Sequence, residues 1–104
     1  MTAQEKLLNL LGLAYKSGKT VCGDFACENY LKKHTVPIMF LASDGGGDNS
    51  GKYRMLAGRK SIRIVDIFTK EELGGAVGKG RNVVILLTDR GFAQAIDKVL
   101  RMIE

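Results

Sequence analysis

Gly46, Gly51 and Lys52 stand at the spacing G-x-x-x-x-G-K, in the stretch Gly46-Gly47-Asp48-Asn49-Ser50-Gly51-Lys52 between a strand-like and a helix-like segment. In that pattern backbone N–H groups cradle phosphates and the lysine reaches the terminal ones, which would make the chain a nucleotide hydrolase. The remaining parts of such a site are missing. Position 53 is Tyr, not the Ser or Thr that holds magnesium after the lysine. Asp66 is expected inside a strand and Asp89 as a helix cap, so neither supplies a second acid at a strand end. The chain is also shorter than a nucleotide-hydrolysing sheet usually needs. Glycine-rich turns before helices are common, and the preferred reading is a mobile surface loop ending in a helix cap at Asn49 or Ser50. The same loop could bring free amides to an RNA phosphate.

Other catalytic arrangements are absent. The chain has one histidine, His34, no carboxylate pair at a suggestive spacing and no Gly-x-Ser-x-Gly turn. Asp44 after a strand reads as the start of a turn or a helix cap. Cys22 and Cys27 lie five apart, unlike a zinc knuckle, and only His34 could add a nitrogen ligand. They read as small hydrophobes in a reducing compartment. No enzyme activity, metal or cofactor is expected.

The elements that position these residues alternate along the chain. Thr2 and Glu5 have capping-box spacing, and Leu7, Leu8, Leu11, Ala14 and Tyr15 follow as one helical stripe that Gly18 stops. Thr20–Cys22 is extended. Gly23 and Asp24 open a second helix, with Phe25, Ala26, Tyr30 and Leu31 expected inward and Lys32 and Lys33 at its C-terminal end. Residues 38–42 form a continuous apolar run, expected as a strand buried on both faces. A basic helix is expected over roughly 52–60, a strand over 62–68, a short helix over 71–77 started by Thr69 and Glu72, and a strand over 83–87. Asp89 then caps a last helix with Phe92, Ile96, Val99, Leu100 and Ile103 on one face. The alternation predicts an α/β fold, a three-layer sandwich with helices on both sides of a sheet.

A chain of 104 residues is expected to form one domain, spanning 1–104. Its 45% hydrophobic and 26% charged residues are those of a globular protein rather than a disordered one. Sixteen Lys and Arg against eleven Asp and Glu give +5, which favours an anionic partner, nucleic acid before membrane. The apolar runs are too short to cross a bilayer. Residues 1–6 lack the basic region and long apolar core of a secretory leader, and none is expected.

Four ordered segments carry a resemblance. Leu10-Leu11-Gly12-Leu13-Ala14-Tyr15-Lys16-Ser17-Gly18-Lys19, Leu41-Ala42-Ser43-Asp44, Glu72-Leu73-Gly74-Gly75-Ala76-Val77-Gly78-Lys79 and residues 84–93 are similar to the bacterial YlxQ-type branch of the ribosomal protein L-seven-Ae and L-thirty-e superfamily. The resemblance covers nearly the whole chain. It implies an α/β/α sandwich around a small mixed sheet, cytoplasmic location, and binding of structured RNA, typically kink-turns, in ribosomal or other ribonucleoprotein settings. The free protein is expected to be a monomer, with ribosomal proteins as further partners.

In that superfamily the start of the second helix and the loop after the Glu-Leu-Gly segment hold RNA. The first element generally reads Gly-x-Asn-Glu-x-x-Lys, and here it is Gly23-Asp24-Phe25-Ala26-Cys27-Glu28-Asn29. Gly23 is kept, Phe25 and Ala26 replace the amide and the acid, and Asn29 replaces the lysine. Asn29 can bond a base edge or a sugar without charge. The Asp24 carboxylate could accept from a guanine amino group or simply cap the helix. In the second element, Gly78, Lys79, Gly80 and Arg81 combine flexible backbone with two cations that suit phosphate. Lys16, Lys19, Lys32 and Lys33 flank the second helix in sequence, and Lys19, Lys32 and Lys33 join the candidate contacts. Lys52, Arg54, Arg59, Lys60 and Arg63 read as general electrostatic attraction, because helical spacing scatters the first four. Phe25 and Tyr30 could stack on bases, but their phase also fits the core, the preferred reading.

Non-catalytic RNA binding is therefore the leading expectation. A protein-interaction adaptor that has lost kink-turn recognition and a nucleotide binder at the glycine loop are the alternatives.

Overall fold

The computed structural model describes residues 1–103, the Asp48 side chain aside. The chain runs α1 (Ala3–Lys16), β1 (Thr20–Cys22), α2 (Asp24–Lys33), β2 (Ile38–Leu41), α3 (Gly47–Lys60), β3 (Arg63–Val65), α4 (Lys70–Ala76), β4 (Val84–Leu87) and α5 (Arg90–Ile103). Both predicted capping boxes form. Thr2 Oγ1 accepts from Glu5 N at 3.1 Å while Thr2 N donates to Glu5 Oε1 at 2.9 Å, and Thr69 and Glu72 repeat the arrangement at α4. Asp89 starts α5, its carboxylate accepting from Phe92 N at 2.8 Å.

Among the described residues the strands form one mixed sheet in the order β1-β4-β2-β3. β2 and β3 are parallel, and β4 runs antiparallel between β1 and β2. Alternation along the two central strands divides the core. Ile38, Phe40, Ile85 and Leu87 face α1, α4 and α5 through Leu7, Leu11, Leu73 and Ile96. Met39, Leu41, Val84 and Leu86 face α2 and α3 through Cys27, Leu31, Tyr53 and Ala57. This is the expected three-layer sandwich.

Several local expectations are corrected. The glycine-rich stretch is helix, not a mobile loop: α3 starts at Gly47, and its N-cap is Gly46 at φ +93°, not Asn49 or Ser50. The buried Tyr53 and Ala57 anchor α3 to the sheet, and that packing overrides the weak helix propensity of its glycines. β3 is shorter than expected, so Asp66 lies beyond it and pairs with Arg54 at 2.8 Å. On α2 the inward positions are Cys27 and Leu31, one turn apart, which leaves Ala26 exposed and Phe25 81% exposed. Tyr15 and Ile103, expected on inward stripes, are each 38% exposed.

Candidate nucleic-acid interface

β1, β2 and β3 run in the same sense, so α2, α3 and α4 all begin at one end of the sheet, where β4 also starts. Gly23, at φ +93°, makes the turn from β1 into α2, a conformation that L side chains resist. Its N–H donates to the Val84 carbonyl at 3.2 Å, and Ala42 N donates to the Val83 carbonyl at 2.8 Å. The start of α2, the end of β2 and the exit of the α4–β4 loop are thereby held together. The N-caps of α2 and α3, Gly23 and Gly46, carry no side chain to bond the first backbone donors of either helix.

The loop 78–81 is folded back on α4. Lys79 N donates to the Gly74 carbonyl at 2.8 Å, and Asn82 N donates to the Lys70 carbonyl at 3.0 Å. Gly78, Lys79, Gly80 and Arg81 are all exposed. Among the described residues neither Lys79 nor Arg81 enters a salt bridge. Phe25 projects at the second position of α2, on the same end of the sheet.

Asp24 is not the cap of α2; Gly23 is, and Asp24 is the first helical residue. Its carboxylate ties α2 to α3. Tyr53 Oη shares its proton between the Asp24 backbone carbonyl at 2.8 Å and Oδ1, and Lys52 Nζ lies 3.2 Å from Oδ1. The Tyr53 hydrogen bond, opposed by partial burial and aided by Lys52, holds the Asp24 carboxyl below the usual range. Burial and the hydrogen bond to Asp24 push the Tyr53 phenol up.

Lys52 also lies 3.5 Å from Glu28. Desolvation works against its ammonium, but the Asp24 and Glu28 contacts outweigh it and hold Lys52 above its ordinary value. This geometry differs from that of a phosphate-cradling loop. The residues that would wrap a phosphate are the first turns of α3, and the lysine that would reach it is bound by two carboxylates.

The remaining expected contacts are separated from this end. Lys19 precedes β1 and its carbonyl accepts from Thr88 N, just beyond β4, so it lies at the other end of the sheet. Lys32 and Lys33 occupy the last turn of α2, roughly 15 Å along its axis from Gly23 by helical rise. Asn29 is exposed midway along α2. The exposed Phe25 was missed as a surface group from the sequence, although the i, i+4 pair Cys27 and Leu31 carried the signal.

The fold and sequence have known relatives. The model of the Ribosomal protein L7Ae/L30e/S12e/Gadd45 family matches residues 5–96. The chain is 25% identical over 97 residues to the RNA-binding protein YlxQ of Enterococcus faecium, covering 93% of each chain. It is 25% identical over 91 residues to the RNA-binding protein YlxQ of Bacillus subtilis (strain 168), covering 88% of this chain and 91% of that one. A solved structure of a Bacillus halodurans protein of unknown function superposes with TM-score 0.84 at 28% identity, over 92% of this chain and 97% of that one. The Giardia lamblia 15.5kD RNA binding protein superposes with TM-score 0.76 at 15% identity, over 96% and 86%, and shares the fold. With the sandwich, the Gly23 turn and the Gly74-supported loop all in place, the chain belongs to the L7Ae/L30e/S12e/Gadd45 family as a YlxQ-type member.

Proposed function

We propose that this protein binds structured RNA, without catalysis, at the end of the sheet where α2 begins and the α4–β4 loop folds over. The hydrogen bond from Gly23 to Val84 carries the reading, because it holds together the two elements that the family resemblance associates with RNA. Lys79 and Arg81 supply cations to phosphate, and the first amides of α2 add neutral donors to the same oxygens. Phe25 offers an open aromatic face on which an unstacked base can lie, in place of the amide of the usual motif. The RNA class is ribosomal or kink-turn-like, with association with the ribosome, and the cytoplasm is the compartment where such RNA is met.

Fluorescence anisotropy with a kink-turn RNA and with a plain duplex of equal length tests this. The wild-type protein is expected to bind the kink-turn RNA with affinity that falls steeply with salt. Replacing Lys79 and Arg81 together by Ala should lower the affinity and reduce the salt slope by about 1 to 2, as expected when two phosphate contacts are lost. Unchanged affinity and slope would remove the loop from the interface, and no binding by the wild-type chain would end the reading.

A further inference from the structure

At the opposite end of the sheet lies a cleft of about 310 Å³, with Thr35, Lys60, Ser61, Thr88 and Arg90 as its polar lining and no acidic residue among its lining groups. The topology assembles it from three neighbouring strands. Thr35 leads into β2, Lys60 ends α3 and Ser61 follows it before β3, and Thr88 and Arg90 follow β4. Lys60 differs from three other cations of the basic stretch in which it occurs. Lys52, Arg54 and Arg63 of that stretch are paired with Asp24 and Glu28, Asp66, and Asp97. Among the described residues Lys60 and Arg90 enter no salt bridge. Asp89, the acid beside Arg90 in sequence, is engaged in capping α5.

Helix electrostatics account for only part of this arrangement. Lys60 closes α3, where a cation suits the negative end of the helix dipole. Arg90 does the reverse: it opens α5, where the dipole disfavours a cation. Ser61 has φ +56° and ψ +40°, the one non-glycine residue of positive φ among the described residues, at a place where helices ordinarily put glycine. Ser61 thus sets a hydroxyl at the rim of the cleft in a backbone conformation that is costly for an L residue. Two cations and three hydroxyl groups without a carboxylate form a donor set for a tetrahedral oxyanion.

We propose that this cleft binds a phosphate of the RNA backbone, so that the protein contacts RNA at both ends of its sheet and can hold two RNA segments at once. The inference rests on the RNA-binding reading, and the experiment separates the two. The full chain, labelled with ¹⁵N, is titrated with a kink-turn RNA whose arms each span a full helical turn, and separately with inorganic phosphate. The RNA is expected to shift the amides of Ser61, Thr88 and Arg90 as well as those of Gly23, Lys79 and Gly80. In the double variant Lys60→Gln, Arg90→Gln the shifts at Ser61 and Thr88 should disappear, those at Gly23 and Lys79 should persist, and affinity should fall on the order of 10-fold with a shallower salt slope. RNA shifts confined to Gly23, Lys79 and Gly80 would overturn the second contact and leave the first standing. Shifts at Ser61 and Thr88 with phosphate but not with RNA would overturn RNA as the source of the phosphate. Shifts at neither end with RNA would overturn both readings.

Discussion

Arg81 rests its backbone on the bare Cα of Gly74. A Cβ added to Gly74 would stand 2.7 Å from Arg81 N and Cα and 2.7 Å from the Lys79 carbonyl oxygen. These are backbone atoms that cannot swing aside, so the position of the loop and the absence of a side chain at Gly74 are one structural fact. The glycine at position 74 of α4 is thereby explained by what the loop requires of the helix.

The substitution Gly74→Ala should therefore act at a distance from its own side chain. Although Ala favours helix over Gly, the clash should leave the variant about 1 to 3 kcal/mol less stable, the cost of overpacking a tight contact. The largest ¹⁵N chemical-shift changes should fall on residues 79–82, and RNA affinity should drop with them. A variant as stable as the wild type, with the loop resonances unmoved, would show that the contact is not tight in solution.

Phe25 gives the opposite signature. It is 81% exposed, so Phe25→Ala should change the urea midpoint little, within about 0.5 kcal/mol in stability. If a base stacks on the ring, RNA affinity should fall by about 1 to 3 kcal/mol, and Phe25→Tyr should restore most of it. Equal affinity in the Ala variant would take the ring out of the interface.

Loss of the Tyr53 hydroxyl should weaken the tie between α2 and α3. Tyr53→Phe removes the donor to Asp24 and should cost about 0.5 to 1.5 kcal/mol at neutral pH. Because the folded protein lowers the Asp24 pKa, that stabilisation is fully present above the ordinary carboxylate value near about 4 and disappears as pH falls through the lower folded value. Urea denaturation of both proteins at pH 7 and pH 3 should show the gap between them narrowing in acid. A gap that is constant with pH would mean that the Asp24 charge plays no part.

Cys27 should be chemically silent in the folded protein. Its thiol is buried, with Val21 and Val84 carbonyls at 3.2 and 3.7 Å, and burial pushes its pKa up to about 12. At pH 8 iodoacetamide should modify the half-buried Cys22 first, and Cys27 only under denaturing conditions. Mass spectrometry of peptides from protein alkylated with and without urea distinguishes the two. Rapid modification of Cys27 in the native state would place it outside the core.

The layers of the sandwich were legible because strand-like and helix-like segments alternate along the chain and the continuous apolar runs Ile38-Met39-Phe40-Leu41 and Val84-Ile85-Leu86-Leu87 require cover on both faces. The start of α3 was misplaced, since local glycine content argues for a loop and only the distant packing of Tyr53 on the sheet and Asp24 settles the helix. Phe25 was assigned to the core because a short helix offers too few apolar positions to fix its phase. The basic residues were harder still. Lys19, Lys32 and Lys33 are near Gly23 in sequence but lie toward the far end of the sheet, a separation created by the lengths of β1 and α2. Lys60 and Arg90 were distant in sequence, and only the fold places them on one cleft.

The strand order has a consequence for how such a chain is made. Among the described residues β1 pairs only with β4, so β1 must wait for a strand made more than sixty residues after it before it finds its ladder. Until β4 emerges, β1 has no ladder and Gly23 has no Val84 carbonyl to bond. Synthesis interrupted before that strand yields a chain without the end of the sheet on which the RNA reading depends. Completion of the sheet and completion of that end are therefore a single event in synthesis.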